Sequence, residues 1–171
     1  MGSGDSRLME YTLQPSPRQR TSRNVFPGGV EDEWTPEITF ATPGDLSVLY
    51  TQRFGYFVRF GSFATCYFNL ATLAFTHTTA SGVLRLFNIP FKPRRAATGA
   101  FGFSTGGLVW RGITKANYTD MFPDPVVGQN YLQFTLSGSG QTPAFVTAAD
   151  MPTGGTVNFR GGVTFQLEEV S

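Results

Sequence analysis

The sequence is poor in the residues that build disulfide frameworks and metal sites. It contains one cysteine, Cys66, and one histidine, His77. A single cysteine excludes an internal disulfide, and these two residues cannot form a transition-metal cluster within one chain, although a threefold axis could gather three copies of one side chain. We therefore predict no cofactor and no metal, with Cys66 as a small buried apolar residue and His77 as an ordinary turn residue.

Long apolar runs and a strong net charge are also missing. No segment approaches the roughly 20 apolar residues that a membrane-spanning helix needs, and the N-terminus lacks the apolar stretch of a secretory signal. The net charge of +1 gives no overall field that would attract nucleic acid or an anionic membrane. The sequence predicts no membrane insertion, and any charged binding surface must be local.

Aromatic residues, glycine and proline are abundant instead. Aromatics make up 15% of the chain, with 20 glycines and 11 prolines, a composition typical of many short strands joined by turns. The length suits one domain with its own core. We predict an all-β fold, a two-sheet antiparallel jelly-roll sandwich of about eight to ten strands.

The stretch from Val48 to Phe91 is the centre of this prediction, with strands at 48–53, 55–60, 62–75 and 83–89. In the third strand both faces are mostly apolar. One face carries Phe63, Tyr67, Leu73 and Phe75, and it alternates with a face that carries Ala64, Cys66, Phe68 and Leu70. One face must fill the core, and the other needs cover, because a half-solvated strand should alternate apolar and polar residues. We predict that Phe63, Tyr67, Leu73 and Phe75 form a trimer interface; the alternative is cover by loops of the same chain.

The remaining strands are separated by turn residues. The sequence predicts a short strand at Glu37–Ala41, a glycine-rich strand pair around Thr98–Trp110 and a proline-punctuated loop at Met121–Gly128. Further strands are predicted at Tyr131–Leu136, Ala144–Thr147 and Val157–Leu167. In the last of these, one face should carry Val157, Phe159, Val163, Phe165 and Leu167.

Residues 1–33 differ from the rest because apolar residues occur there singly. Arg18, Arg20 and Arg23 lie in a section without acidic residues, and its prolines favour extended backbone. We predict an N-terminal docking arm at 1–33 and a folded domain at 34–171; a tail packed back on its own domain is the alternative. Since aromatics for base stacking are missing and Arg pairs bidentately with carboxylates, the arm favours a protein partner over nucleic acid.

Catalytic patterns are weak. Gly102–Gly106 matches the G-x-S-x-G spelling around Ser104, but His77 precedes that serine, against the order that the motif requires. Three central carboxylates, Asp120, Asp124 and Asp150, lie in turn-like sequence where Asp is expected for local hydrogen bonding. We therefore predict that the chain is not an enzyme.

Four segments follow one another in a distinctive order: Trp34-Thr35-Pro36, Tyr50–Gly61 (YTQRFGYFVRFG), Ser81-Gly82 and Asn88-Ile89-Pro90-Phe91. In this order they resemble the head domain of tailed-bacteriophage fibre and appendage proteins, trimeric jelly rolls similar to the complement and tumour-necrosis-factor family. The resemblance implies a homotrimeric structural protein of a virion, assembled in the host cytoplasm.

Two roles follow from these observations. The first is a capsid cement or decoration protein whose arm binds the major capsid protein. The second is the receptor-binding head of a tail fibre or baseplate appendage, with a tail or baseplate protein and a host surface receptor as partners. We expect the first, because an arm of about 33 residues reaches at most roughly 110 Å, which suits a surface clamp.

Overall fold

The computed structural model describes residues 24–94 and 108–168, and the regular secondary structure of these segments is almost entirely β-strand. The strands are β1 (Asn24–Phe26), β2 (Gly29–Trp34), β3 (Glu37–Thr42), β4 (Ser47–Phe60), β5 (Phe63–Thr76), β6 (Ser81–Phe87), β7 (Val109–Arg111), β8 (Asp120–Pro125), β9 (Tyr131–Ser137), β10 (Ala144–Phe145) and β11 (Asn158–Gln166). A short 3-10 turn lies at Ala148–Asp150.

The described strands form two antiparallel sheets. One sheet has six strands in the order β1-β2-β4-β5-β11-β7. The other has five strands, with the path β10-β9-β6-β3 and with β8 paired to β9. The predicted all-β, two-sheet antiparallel sandwich is confirmed, while the jelly-roll connectivity stays a prediction.

The core lies between the two sheets and is built from alternate residues of each strand. Phe134 of β9 meets Phe68 of β5 edge to face at 6.3 Å and stacks on Phe159 of β11 at 5.1 Å. Cys66 is fully buried, and this burial raises the pKa of its thiol to about 12. The predicted inner face of the last strand is confirmed, since all five of its apolar residues are buried: Val157, Phe159, Val163, Phe165 and Leu167.

Gly55 does not interrupt the sheet. The predicted strands 48–53 and 55–60 are one continuous strand, β4, in which Gly55 pairs with Trp34 on one side and Phe68 on the other. A Cβ atom at Gly55 would lie 2.5 Å from the Trp34 ring. The glycine therefore makes room for the indole and does not end a strand.

The prediction of a loop at Met121–Gly128 was wrong, because residues 120–125 form the edge strand β8 on β9. The amide of Val126 donates to the carbonyl of Tyr131, which fixes the residues whose backbone groups face β9. Backbone nitrogens alternate in direction along a strand, and the nitrogen of Val126 points toward β9. The nitrogens of Pro125 and Pro123, one and three positions earlier, therefore point away from β9. Proline is tolerated at such positions because no ladder hydrogen bond is lost.

Two predicted segments lie partly outside the described residues. Within the predicted arm, residues 24–33 form β1 and most of β2, which pairs with β4 along its whole length. Residues 1–23, with Arg18, Arg20 and Arg23, lie outside the described part of the chain. The same is true of most of the predicted glycine-rich strand pair, of which the structure describes β7.

Candidate interaction surface

The outer face of the six-stranded sheet is set by the alternation of β5. Ala64, Cys66, Phe68 and Leu70 are buried, so the residues between them point away from the core. Phe63 and Tyr67 are 48% and 50% exposed. Their direct neighbours on β4 are Phe60 and Tyr56, which places aromatic side chains from both strands on the same side of the sheet.

These side chains form one patch, which we call the aromatic face. It consists of Phe54, Tyr56, Val58, Phe60, Phe63 and Tyr67. Three of its phenylalanines, Phe54, Phe60 and Phe63, are at least 44% exposed. Exposed apolar patches of this kind are uncommon on a sheet face that is in contact with water.

The predicted interface of four residues requires one correction, at Phe75. Phe63, Tyr67 and Leu73 are exposed, but Phe75 has 0% exposure and contacts the ring of Phe40. The register between β4 and β5 shifts at Tyr50, and Leu73 is left without a cross-strand partner. Such a bulge inserts one extra residue and reverses the alternation beyond it, so Phe75 points into the core.

Charged residues of opposite sign border the aromatic face. Glu31 and Glu33 lie on β2, opposite Val58 and Tyr56. On the other side, Arg160 of β11 lies opposite Asn69, and Arg111 of β7 extends the same border. β2 and β11 are separated by three strand spacings, about 14 Å. The outer face therefore runs from an acidic border through aromatics to a basic border.

Local contacts hold the aromatic side chains in place. The Tyr56 hydroxyl donates to the Glu31 carboxylate, and this bond raises the pKa of Tyr56 to about 12. The Tyr67 ring leans over β11, since a Cβ atom at Gly162 would lie 2.8 Å from it. Beside it, the hydroxyls of Thr65 and Thr164 are 2.8 Å apart. An ordered surface of this kind loses little side-chain entropy on binding.

His77 lies in the core and not in an exposed turn. It is 6% exposed, and its ring lies 5.2 Å from Phe40 and 5.8 Å from Phe75. A threefold axis could not bring three such buried rings together around a metal. Among the described residues, no group of three His, Cys, Asp or Glu side chains could hold a metal ion. Ser104 lies outside the described residues.

The three central carboxylates have separate structural surroundings. Asp120 and Asp124 are four residues apart on β8, about 13 Å along a strand, farther than the two carboxylates of a glycosidase. Burial raises the pKa of Asp124, and Thr135 donates to its carboxylate. Asp150 accepts hydrogen bonds from Lys115 and from the amide and hydroxyl of Thr147. Its role is to hold a turn.

The outer face of the five-stranded sheet contains a feature that sequence reasoning missed. A cleft of about 390 Å³ is lined by Glu37, Thr39, Phe40, Ala41, Pro43, Arg85, Phe87 and Asn88. Next to it, the Arg85 guanidinium lies 4.6 Å from the Tyr131 ring, which stacks on Phe87 at 5.0 Å. The alternation of apolar residues in β6 predicts that Arg85 and Phe87 point outward. The cleft also depends on the pairing of β6 with β3 and β9, and no local pattern in the sequence predicts that pairing.

The described residues contain no helix long and apolar enough to cross a membrane. No protein-family model matches the chain, and no curated protein matches it in sequence. Among solved structures, the crystal structure of the Dettilon tailspike protein (gp208) is similar, with a TM-score of 0.53 and 13% sequence identity. The match covers 79% of this chain and 23% of the tailspike chain, so this chain spans less than a quarter of the tailspike. At this identity the likeness concerns the fold alone.

Proposed function

We propose that the chain is a non-enzymatic structural protein of a tailed-phage virion and that it works as a homotrimer. The observation that carries the proposal is the aromatic face, an ordered patch on the outside of a complete sandwich. The core is already closed by the opposite sheet, so these side chains are not needed to fill it. Their burial against other copies of the chain accounts for an aromatic surface where a solvated strand would be polar.

Two independent likenesses support the virion context. The segments from Trp34 to Phe91 resemble fibre and appendage heads, and the fold is similar to part of a phage tailspike at a TM-score of 0.53. Within the virion, we favour the receptor-binding head of a tail fibre or baseplate appendage. The cleft at Arg85 and Phe87 favours this role, because it offers a recessed polar and aromatic surface on the sheet opposite the aromatic face.

Capsid decoration is the second candidate. It depends on Arg18, Arg20 and Arg23, which would pair with carboxylates of the capsid lattice. Since β1 and β2 pair with each other and β2 pairs with β4 of the domain, a docking arm is proposed only for the residues before Asn24. This role uses the same trimer and differs in what the trimer binds.

The trimer is tested by mass and by two substitutions on the aromatic face. The unmodified protein should have about three times the chain mass of 18.7 kDa in light scattering. The double variant Phe63→Asp, Tyr67→Asp should be monomeric, because losing two central aromatics at about 2 kcal/mol each weakens association roughly a thousandfold. Its circular dichroism should be unchanged, since both side chains are about half exposed.

A matched control for this experiment lies on the other sheet. Phe122 of β8 is 41% exposed, and Phe122→Asp should leave the mass unchanged. A monomeric unmodified protein, or a double variant that still assembles, would remove the trimer from the proposal.

The virion role is tested with particles that lack the protein. For a receptor-binding head, such particles should withstand heat normally and fail to adsorb to cells. For a decoration protein, they should adsorb normally and burst at lower temperature, because a ligand that binds only the intact shell stabilises it by about 2.7 kcal/mol at a hundredfold excess over Kd. Purified virions that never contain the chain would refute both roles.

A further inference from the structure

Three charged residues at the borders of the outer face form no ion pair with another residue that the structure describes. Glu33 is exposed on β2, and Arg160 and Arg111 are exposed on β11 and β7. In the described part of the chain, the ion pairs are formed by other residues, such as Arg53 with Glu37 and Lys115 with Asp150. The charges of Glu33, Arg160 and Arg111 are therefore available to a second molecule.

These charges cannot meet inside one copy. Glu33 lies opposite Tyr56, and Tyr56 lies opposite Tyr67, so two aromatic residues separate the acidic border from β11. Three strand spacings amount to about 14 Å, whereas an ion pair needs a separation near 4 Å. The sheet thus holds the opposite charges apart at the two ends of an apolar surface.

We infer that a second copy of this chain docks on the outer face with its basic border against the acidic border, so that Glu33 of one copy pairs with Arg160 of its neighbour. The inference rests on the proposed homotrimer. A face with an acidic border on one side and a basic border on the other is complementary to itself. Each contact then joins the acidic border of one copy to the basic border of the next, as between the subunits of a closed ring. Placing like borders together would instead bring acid against acid, which costs binding energy and disfavours that arrangement.

Arginine suits this position because its planar guanidinium can pair with a carboxylate and also stack on an aromatic ring. The pair would form at the rim of the aromatic face, where the aromatics exclude water from one side and strengthen the attraction. The aromatics supply affinity, and the charges determine which borders meet.

Charge reversal in the full chain tests the pairing. Glu33→Arg and Arg160→Glu should each raise the dissociation constant of the assembly about tenfold or more at low salt, measured by light scattering over a dilution series. The double variant Glu33→Arg, Arg160→Glu restores opposite charges and should return to within about threefold of the unmodified protein. Asp120→Arg, a reversal of an exposed acid on β8 of the other sheet, should have no effect.

The outcomes separate the pairing from the trimer. Single reversals that leave a trimer unchanged overturn the pairing and leave the proposed function standing. Single reversals that weaken assembly without rescue in the double variant also overturn it, because the charges then act independently. Rescue of a dimer would support the pairing and refute the trimer, and an unmodified protein that is monomeric at every concentration refutes both.

Discussion

Replacing Phe75 by alanine should lower the free energy of unfolding by about 3 to 5 kcal/mol, whereas Leu73→Ala should change it by less than about 0.5 kcal/mol. The two residues are separated by one position and were predicted to share a face. Phe75 is 0% exposed and Leu73 is 60% exposed. Removing the Phe75 ring leaves a cavity beside Phe40 and His77, since both rings contact it.

The measurement is urea unfolding in the monomeric Phe63→Asp, Tyr67→Asp background, so that assembly contributes nothing to the difference. Equal losses at Phe75 and Leu73 would contradict the bulge and would restore the uninterrupted alternation that the sequence predicts. A loss at Leu73 alone would place the bulge elsewhere in β5.

This pair of residues illustrates how far the alternation of apolar residues can be followed. The period of two assigns alternate residues of β5 to opposite faces. It places Ala64, Cys66, Phe68 and Leu70 inward and Phe63 and Tyr67 outward, and the structure agrees for all six. It fails beyond Leu73, at Phe75, because a bulge depends on how β5 pairs with β4, more than 20 residues away along the hairpin. Sequence patterns within one strand carry no information about that pairing.

The first strands were missed for a different reason. β2 reads GVEDEW, with three acids in six residues, and polar runs of this kind are usually read as loops. The strand forms because β4 supplies a pairing edge for all six residues, and because Trp34 at its end packs into the core. β8 was missed because Pro123 and Pro125 are breakers in most contexts and are tolerated here at an edge.

The fold class was predictable because it depends on composition and on long apolar strands, which are local properties. The aromatic face was predictable in part, since Phe63 and Tyr67 were assigned to the outer side from β5 alone. Its charged borders were not predicted, because Glu33 and Arg160 are more than a hundred residues apart in the chain and meet the same face only through the strand order β2-β4-β5-β11.

The second large effect is expected at Gly55. Gly55→Ala should lower the free energy of unfolding by about 3 kcal/mol, because the new methyl group would lie 2.5 Å from the indole of Trp34. Overpacking costs about 1 to 3 kcal/mol. Displacing the indole also breaks the hydrogen bond from its Nε1 to the carbonyl of Tyr67, at 3.2 Å, and an unpaired buried group adds about 1 to 3 kcal/mol.

Gly154→Ala is the matched control. No atom lies within 4 Å of a Cβ at Gly154, so the same added methyl group should change stability by less than about 1 kcal/mol. Thermal or urea unfolding followed by circular dichroism measures both variants. An equal loss at Gly154 would indicate that the effect comes from glycine replacement itself and not from the indole.

A double-mutant cycle isolates the contact between Gly55 and Trp34. Trp34→Leu alone should destabilise the protein, since Trp34 is only 9% exposed and belongs to the core. Gly55→Ala in the Trp34→Leu background should then cost about 1 kcal/mol or less, because the smaller side chain leaves room for the methyl group. The two losses should therefore fall short of additivity by about 2 kcal/mol. Additive losses would show that the backbone of β4 requires glycine at position 55. The cost of Gly55→Ala would then not come from the contact with the Trp34 indole.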